Sequence, residues 1–240
     1  MKVNLLCGAR NLPESILQNK TNEAWIGIDR GALILIESGI MPQFAVGDFD
    51  SITKEEKDYL TEKLAINPYN SEKDDTDLAL GIEQAISSGY SEICVYGATG
   101  GRLDHFMGAL QILEKPEYTK KQINIKIIDQ QNEISYLSAK DYNIERDLNY
   151  PYISFIPIAY PTVISLINFK YELKQASLQL GSTLTISNEL IKPQGIVSIH
   201  SGSVLMIKSK DWYIVVNLNK KKTNPPHKDW SFSCIIFIKL

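Results

Sequence analysis

The chain has 240 residues, a formal charge of −3 and 44% hydrophobic residues. At this length a folded chain buries roughly 70–75% of its unfolded surface, so its core needs neither disulfide nor structural metal. The composition excludes disordered, collagen-like and disulfide-scaffold classes, and the slight negative charge lacks the basic field that nucleic-acid binding requires. The three cysteines, Cys7, Cys94 and Cys234, form no C-x-x-C pair, which argues against a zinc site and for reduced thiols in a cytoplasmic protein. The apolar stretch in the opening MKVNLLCGARNLP is too short for a signal peptide. No apolar run approaches the ~20 residues of a membrane span.

In chain order, Val3–Cys7 and Trp25–Asp29 read as strands, and residues 31–38 as a helix stopped by Gly39. Residues 44–46 are short and apolar and run into the acidic turn GDFDS; Lys54–Leu64 is a charged amphipathic helix. Leu78, Ile82, Ala85 and Ile86 recur at helical spacing over Asp77–Ser87, with Gly89 beyond the helix end. Ile93–Tyr96 is a buried strand followed by GATGG, His105–Leu113 a helix closed by Pro116, and Ile123–Asp129 and Ile134–Leu137 are strands. This alternation predicts an α/β domain with a parallel sheet flanked by helices. After about residue 145 the pattern changes to short β-rich runs, at 153–158, 163–169, 183–187, 196–200 and 204–209, which predict an antiparallel sandwich or small barrel. The expected division is 1–145, 146–216 and an atypical extension, 217–240, whose run Cys234–Ile238 is either an extra strand or an unstructured tail.

Three clusters carry chemistry. In GDFDS, an extended chain would point Asp48 and Asp50 to one side, giving two carboxylates at a strand end for Mg²⁺; an Asx-turn explains the same residues without a ligand. In SEKDDTD, Asp74 and Asp77 share a helical face. Capping explains one or two of these acids but poorly explains three acids beside Lys73, a residue suited to phosphate. In GATGGRLDH, small residues before a helix let backbone N–H groups approach phosphate oxygens. Arg102 can clamp phosphate bidentately, and Asp104 either orients Arg102 or joins a metal shell. The loop is neither a Walker A motif nor a full dinucleotide fingerprint. All three clusters fall at strand ends or helix starts on one edge of the sheet. Together they hold the carboxylates, lysine and arginine that metal-assisted phosphorus transfer requires.

GDFDS, KDDTD and GATGGRLDH in this order resemble the thiamine pyrophosphokinase family. FKYEL at 169–173, GSTLTISNE at 181–189 and GSVLMIKSKD at 202–211 are similar to its thiamine-binding sheet and closing strands. The resemblance implies an ATP- and Mg²⁺-binding α/β domain, an all-β sandwich C-terminal domain, and a homodimer with thiamine between subunits. It implies attack of the thiamine hydroxyl on the β-phosphorus of ATP, with AMP leaving. By position it makes Asp48, Asp50, Asp74 and Asp77 the metal acids and places Lys73, Asp74, Thr76, Thr99, Gly100, Arg102 and Asp104 around the nucleotide, with Asp48, Asp77, Arg102 and Asp104 catalytic. Tyr171, Ser187 and Asn188 would hold thiamine, an assignment that suits an aromatic face for the thiazolium cation and polar groups for the pyrimidine. Glu172 stands where the family pattern commonly has proline, and the tail from Asn217 has no counterpart in that pattern. The alternatives are a non-catalytic nucleotide or thiamine sensor, and a Mg²⁺-dependent nucleotide hydrolase on the same scaffold.

Overall fold

The computed structural model describes residues 1–50, 52–64 and 75–211, and the backbone of 213–217 and 235–239. Five parallel strands form its first part: β1 (Lys2–Leu6), β2 (Trp25–Ile28), β3 (Ala45–Val46), β4 (Glu92–Tyr96) and β5 (Asn124–Ile128), in the order β3-β2-β1-β4-β5. β1, β2 and β4 are almost continuously buried, the pattern of parallel strands covered on both faces. Val3, Leu5, Ile93, Val95, Ile125 and Ile127 pack on one face with Ile82 and Ala85 of α4 (Asp77–Ser87) and Ala109 and Ile112 of α5 (Leu103–Leu113). On the other face Leu6, Cys94 and Tyr96 meet Leu17 of α1 (Ile16–Asn19) and Leu35 of α2 (Arg30–Glu37).

Local chemistry sets the helix starts. Thr53 and Glu56 form a reciprocal capping box at the start of α3 (Lys54–Lys63), with bonds of 3.2 and 2.8 Å. The hydroxyl of Thr76 accepts the Ala79 N–H and caps α4. Pro116, expected only to close the preceding helix, also opens α6 (Pro116–Lys120) from its first position, where a missing N–H costs nothing.

The same sheet continues into the C-terminal half. β6 (Asn132–Leu137) pairs antiparallel with β5, and β13 (Val204–Ser209), β8 (Tyr152–Pro157) and β11 (Asn188–Glu189) complete a nine-stranded sheet, β11-β8-β13-β6-β5-β4-β1-β2-β3. A second, four-stranded sheet, β10-β9-β12-β7, is built from β7 (Asp141–Glu145), β9 (Thr162–Ile167), β10 (Leu173–Leu178) and β12 (Gln194–Ser201). Leu137, Ile153, Phe155, Val204 and Met206 of the first sheet form a sandwich core with Ile164, Leu166, Leu178, Val197 and Ile199 of the second. Each such side chain contributes on the order of 1.5–3 kcal/mol by leaving water.

Residues 183–187, expected as a strand, form turns instead: Ile186 N–H bonds Thr183 O, and the Thr185 hydroxyl donates to Phe155 O. Local β-propensity there yields to a side chain that closes the loop onto β8. The strand alternative holds for 235–239, where β15 (Ile235–Lys239) pairs antiparallel with β14 (Tyr213–Asn217). Among the described residues no helix is long and apolar enough to cross a membrane.

Candidate active site

From β1 the chain moves outward to β2 and β3, whereas from β4 it moves the other way to β5. The carboxyl ends of β1 and β4 therefore flank a switch point, where open parallel sheets bind ligands. The two following loops touch: a Cβ on Gly97 would lie 2.2 Å from Gly8 O, and Gly97 has φ +73°, so the contact requires glycine.

Three carboxylates converge along this edge. Asp29 follows β2, Asp48 follows β3, and Asp77 opens α4; a ligand oxygen from each lies within 4.8 Å of the others. Asp29 was read from sequence only as the end of a strand. Its backbone is unusual for a residue with a side chain, φ 47° and ψ −125°, and is tied down by a 2.9 Å bond from its N–H to Val46 O. Although Asp29 occupies the N-cap of α2, its side chain makes no cap bond, and Oδ1 is buried without a hydrogen-bond partner. Burial pushes its carboxyl up to about 7, helped by the charges of Asp77 and Asp48 and opposed by a backbone hydrogen bond from Phe49. A Cβ on Gly47 would sit 2.1 Å from Asp29 Oδ1, so glycine there leaves the carboxylate its space. Convergent, mutually repelling hard oxygens, one of them buried and unpartnered, fit Mg²⁺.

Asp50 stands outside this trio and is exposed. The strand-like alternation expected for Asp48 and Asp50 breaks because Phe49 adopts φ 58° and buries its ring. Asp48 Oδ1 accepts the Asp50 N–H at 3.0 Å, the Asx-turn arrangement, while Lys57 Nζ donates to Asp48 O at 3.1 Å. Lys73 and Asp74 lie outside the described residues.

The loop after β4 carries Thr99 and Gly100 toward α5. Thr99 is 8% exposed and its hydroxyl is buried without a partner, a polar group that a ligand oxygen would satisfy. Arg102 and Asp104, both exposed, pair bidentately through bonds of 3.1 and 2.6 Å. The hydrogen-bonded guanidinium holds the Asp104 carboxyl down at about 2. In this structure Asp104 thus orients Arg102 and is not part of the acidic trio.

Tyr171, Ser187 and Asn188 gather at the β8–β11 end. Asn188 is 2% exposed, and its amide clamps the neighbouring loop: Oδ1 accepts Tyr171 N–H at 3.0 Å and Nδ2 donates to Tyr171 O at 2.8 Å. The Tyr171 side chain is left 58% exposed, with Lys170 Nζ 5.8 Å from its ring centroid. Ser187, at φ 55°, is exposed and its N–H bonds Ser154 Oγ at 2.9 Å. Glu172 accepts the Asn168 N–H at 2.8 Å and so closes the turn where the family pattern has proline.

Comparison with known proteins assigns a family to the chain. Residues 17–127 match the family model "Thiamin pyrophosphokinase, catalytic domain" and residues 141–205 match "Thiamin pyrophosphokinase, vitamin B1 binding domain". Thiamine pyrophosphokinase from Bacillus subtilis (strain 168) is 41% identical over 213 residues, covering 87% of this chain and 99% of the relative. The crystal structure of the B. subtilis protein superposes with a TM-score of 0.80 at 41% identity, covering 88% of this chain and all (100%) of that one. A probable thiamine pyrophosphokinase from Staphylococcus saprophyticus subsp. saprophyticus is 57% identical with a TM-score of 0.73, over 88% of this chain and 100% of the other. With both halves matched, the acidic trio lying within the first, the chain belongs to the thiamin pyrophosphokinase family.

Proposed function

We propose that the protein transfers a pyrophosphoryl group from ATP to the hydroxyl of thiamine, yielding thiamine diphosphate and AMP. The observation that carries this reading is the pairing, in one chain, of an acidic trio beside a glycine-rich phosphate-type loop with an exposed aromatic clamped at the far end of the same sheet. A new bond forms between the thiamine oxygen and the β-phosphorus, the bond from that phosphorus to the α–β bridging oxygen breaks, and the bridging oxygen leaves on AMP. Asp29, Asp48 and Asp77 would hold Mg²⁺, with Asp50 and Asp74 completing the acidic set. When bound, the metal neutralises phosphate charge and orients the chain of phosphates. The Thr99 hydroxyl and the backbone at Gly100 would donate to phosphate oxygens, Lys73 and Arg102 would supply positive charge, and Asp104 would hold Arg102 in position. Thr76 acts by fixing the start of α4, which presents Asp77.

Tyr171 would stack against the thiazolium, with Ser187 at the pyrimidine and Asn188 setting the Tyr171 loop. The two ends of the sheet support a homodimer. β2 and β11 are seven strand spacings apart, roughly 34 Å at ~4.8 Å per strand, farther than thiamine can bridge. The Tyr171 end of one subunit would therefore complete the acidic end of its partner. The division of labour follows: 1–145 for nucleotide, 146–216 for thiamine, in a cytoplasmic enzyme. The test is AMP formation from Mg·ATP with and without thiamine. Thiamine-dependent AMP with matching thiamine diphosphate is expected; AMP or ADP formed regardless of thiamine would replace transfer by hydrolysis, and binding without turnover would make the protein a sensor.

A further inference from the structure

The loop after β1 contributes a cation that no phosphate motif in the sequence announces. Arg10 is exposed and lies across the loop that follows β4: a Cβ on Gly101 would fall 2.7 Å from Arg10 Nη1 and 2.8 Å from its Cζ. Asn11 lies equally close, since a Cβ on Gly100 would fall 2.4 Å from Asn11 Nδ2. Residues 10 and 11 thus lie against the glycine loop that follows β4, next to the Gly8–Gly97 contact. The two arginines beside this loop differ in one respect. The Arg102 guanidinium is already engaged on two nitrogens by Asp104, whereas Arg10 has no ion-pair partner among the described residues. A planar fork of donors, without an ion-pair partner among the described residues and held against a loop with a buried unpartnered hydroxyl at Thr99, matches the geometry of phosphate oxygens.

We infer that Arg10 is a phosphate-binding residue of the nucleotide site, closing on the polyphosphate from the β1 side of the switch point. This rests on the assignment of that edge to Mg·ATP. The glycine at 101 then has a specific reason: it leaves the volume in which the guanidinium lies. Its φ is not in the left-handed region, so alanine is tolerated by the backbone and displaces only the end of a flexible side chain.

The experiment is calorimetric titration of Mg·ATP, and separately of thiamine, into the wild-type protein, Arg10→Ala, Arg10→Lys, Gly101→Ala and the Arg10→Ala/Gly101→Ala double variant. Loss of a charged fork on phosphate weakens Mg·ATP about 10- to 100-fold in Arg10→Ala, with an intermediate loss in Arg10→Lys and thiamine affinity within about twofold. Gly101→Ala weakens Mg·ATP in the wild-type background but adds nothing once Arg10 is absent. Unchanged Mg·ATP affinity in Arg10→Ala overturns the inference, as does a Gly101→Ala effect of equal size in both backgrounds. A wild-type protein that binds Mg·ATP but transfers nothing removes the proposed reaction and leaves Arg10 its role; one that does not bind Mg·ATP removes both.

Discussion

At the β2–β3 end of the nine-stranded sheet, three carboxylates crowd within 4.8 Å and one oxygen, Asp29 Oδ1, is buried without a partner. At the β8–β11 end, Asn188 is buried more completely, yet both ends of its amide are bonded to the Tyr171 backbone and Oδ1 also accepts the Glu189 N–H. The first end holds electrostatic repulsion that a proton or a bound cation relieves. The second satisfies itself and spends its polar groups on presenting an aromatic face. The two ends should therefore fail differently when mutated: the acidic end loses function without losing its fold, whereas the aromatic end couples ligand affinity to local stability.

The largest expected effect is at Asp77. Asp77→Asn should lower turnover at least about 100-fold with an unchanged circular dichroism spectrum; near-normal turnover would remove Asp77 from the metal site. Almost as large is the reversal produced by mixing. Assayed at thiamine well below the wild-type KM, Asp77→Asn and Tyr171→Ala subunits are each defective alone, but heterodimers of a shared-site enzyme contain one intact site. Random exchange should restore about a quarter of wild-type activity, and no restoration would place both ends in a single subunit's site. Tyr171→Ala should raise the thiamine KM roughly tenfold through loss of a cation–π contact while leaving the Mg·ATP KM within twofold. If instead both constants rise together, the two ends are not separate functions.

A smaller effect tests the stored repulsion directly. Without divalent cation, Asp29→Asn should raise Tm by roughly 2–4 °C, the shift worth about 1 kcal/mol in a chain of this size; adding Mg²⁺ should raise the wild-type Tm and leave the variant unmoved. The smallest is a control at neither end. Burial works to raise the Glu23 carboxyl, but hydrogen bonds from Asn4, Lys20 and Lys2 hold it down at about 2. A depressed carboxyl stabilises the fold above its unfolded value near 4, and that contribution is lost as pH falls toward 2. Glu23→Gln should flatten this part of the stability–pH curve, measured by urea unfolding between pH 6 and 3, without touching activity at neutral pH.

Much of this was legible before the structure. α4 runs from Asp77 to Ser87 as its apolar spacing requires, and the parallel strands follow their apolar runs to within a residue or two. Asp29 was not legible as a member of the acidic trio because it stands alone after a strand, with no neighbouring acid to mark it. The available signal was its position, an acid directly after a buried strand on the edge that also carries Asp48. Alternation misplaced Asp50 because period two assumes extended backbone, and burial of the Phe49 ring imposed a left-handed residue in the middle. The resemblance implied a thiamine contact at Asn188, but only the fold shows its amide consumed by the Tyr171 loop. The switch in sequence rhythm near residue 145 suggested a second, separate unit. It could not reveal that β13, β8 and β11 extend the first sheet beyond β6, because pairing across such distances leaves no local trace.

That continuity has a mechanical consequence. A hinge between β5 and β6, or between β6 and β13, would have to break ladder hydrogen bonds running from Lys126 to Ser135 and from Asn132 to Ser209. The sheet thus acts as a stiff beam with one reactive end and one presenting end, and its width sets the distance between them. Gating by rotation of two lobes is denied to such a molecule; motion falls to parts that shift without bending the beam, such as exposed side chains and the loops that carry them.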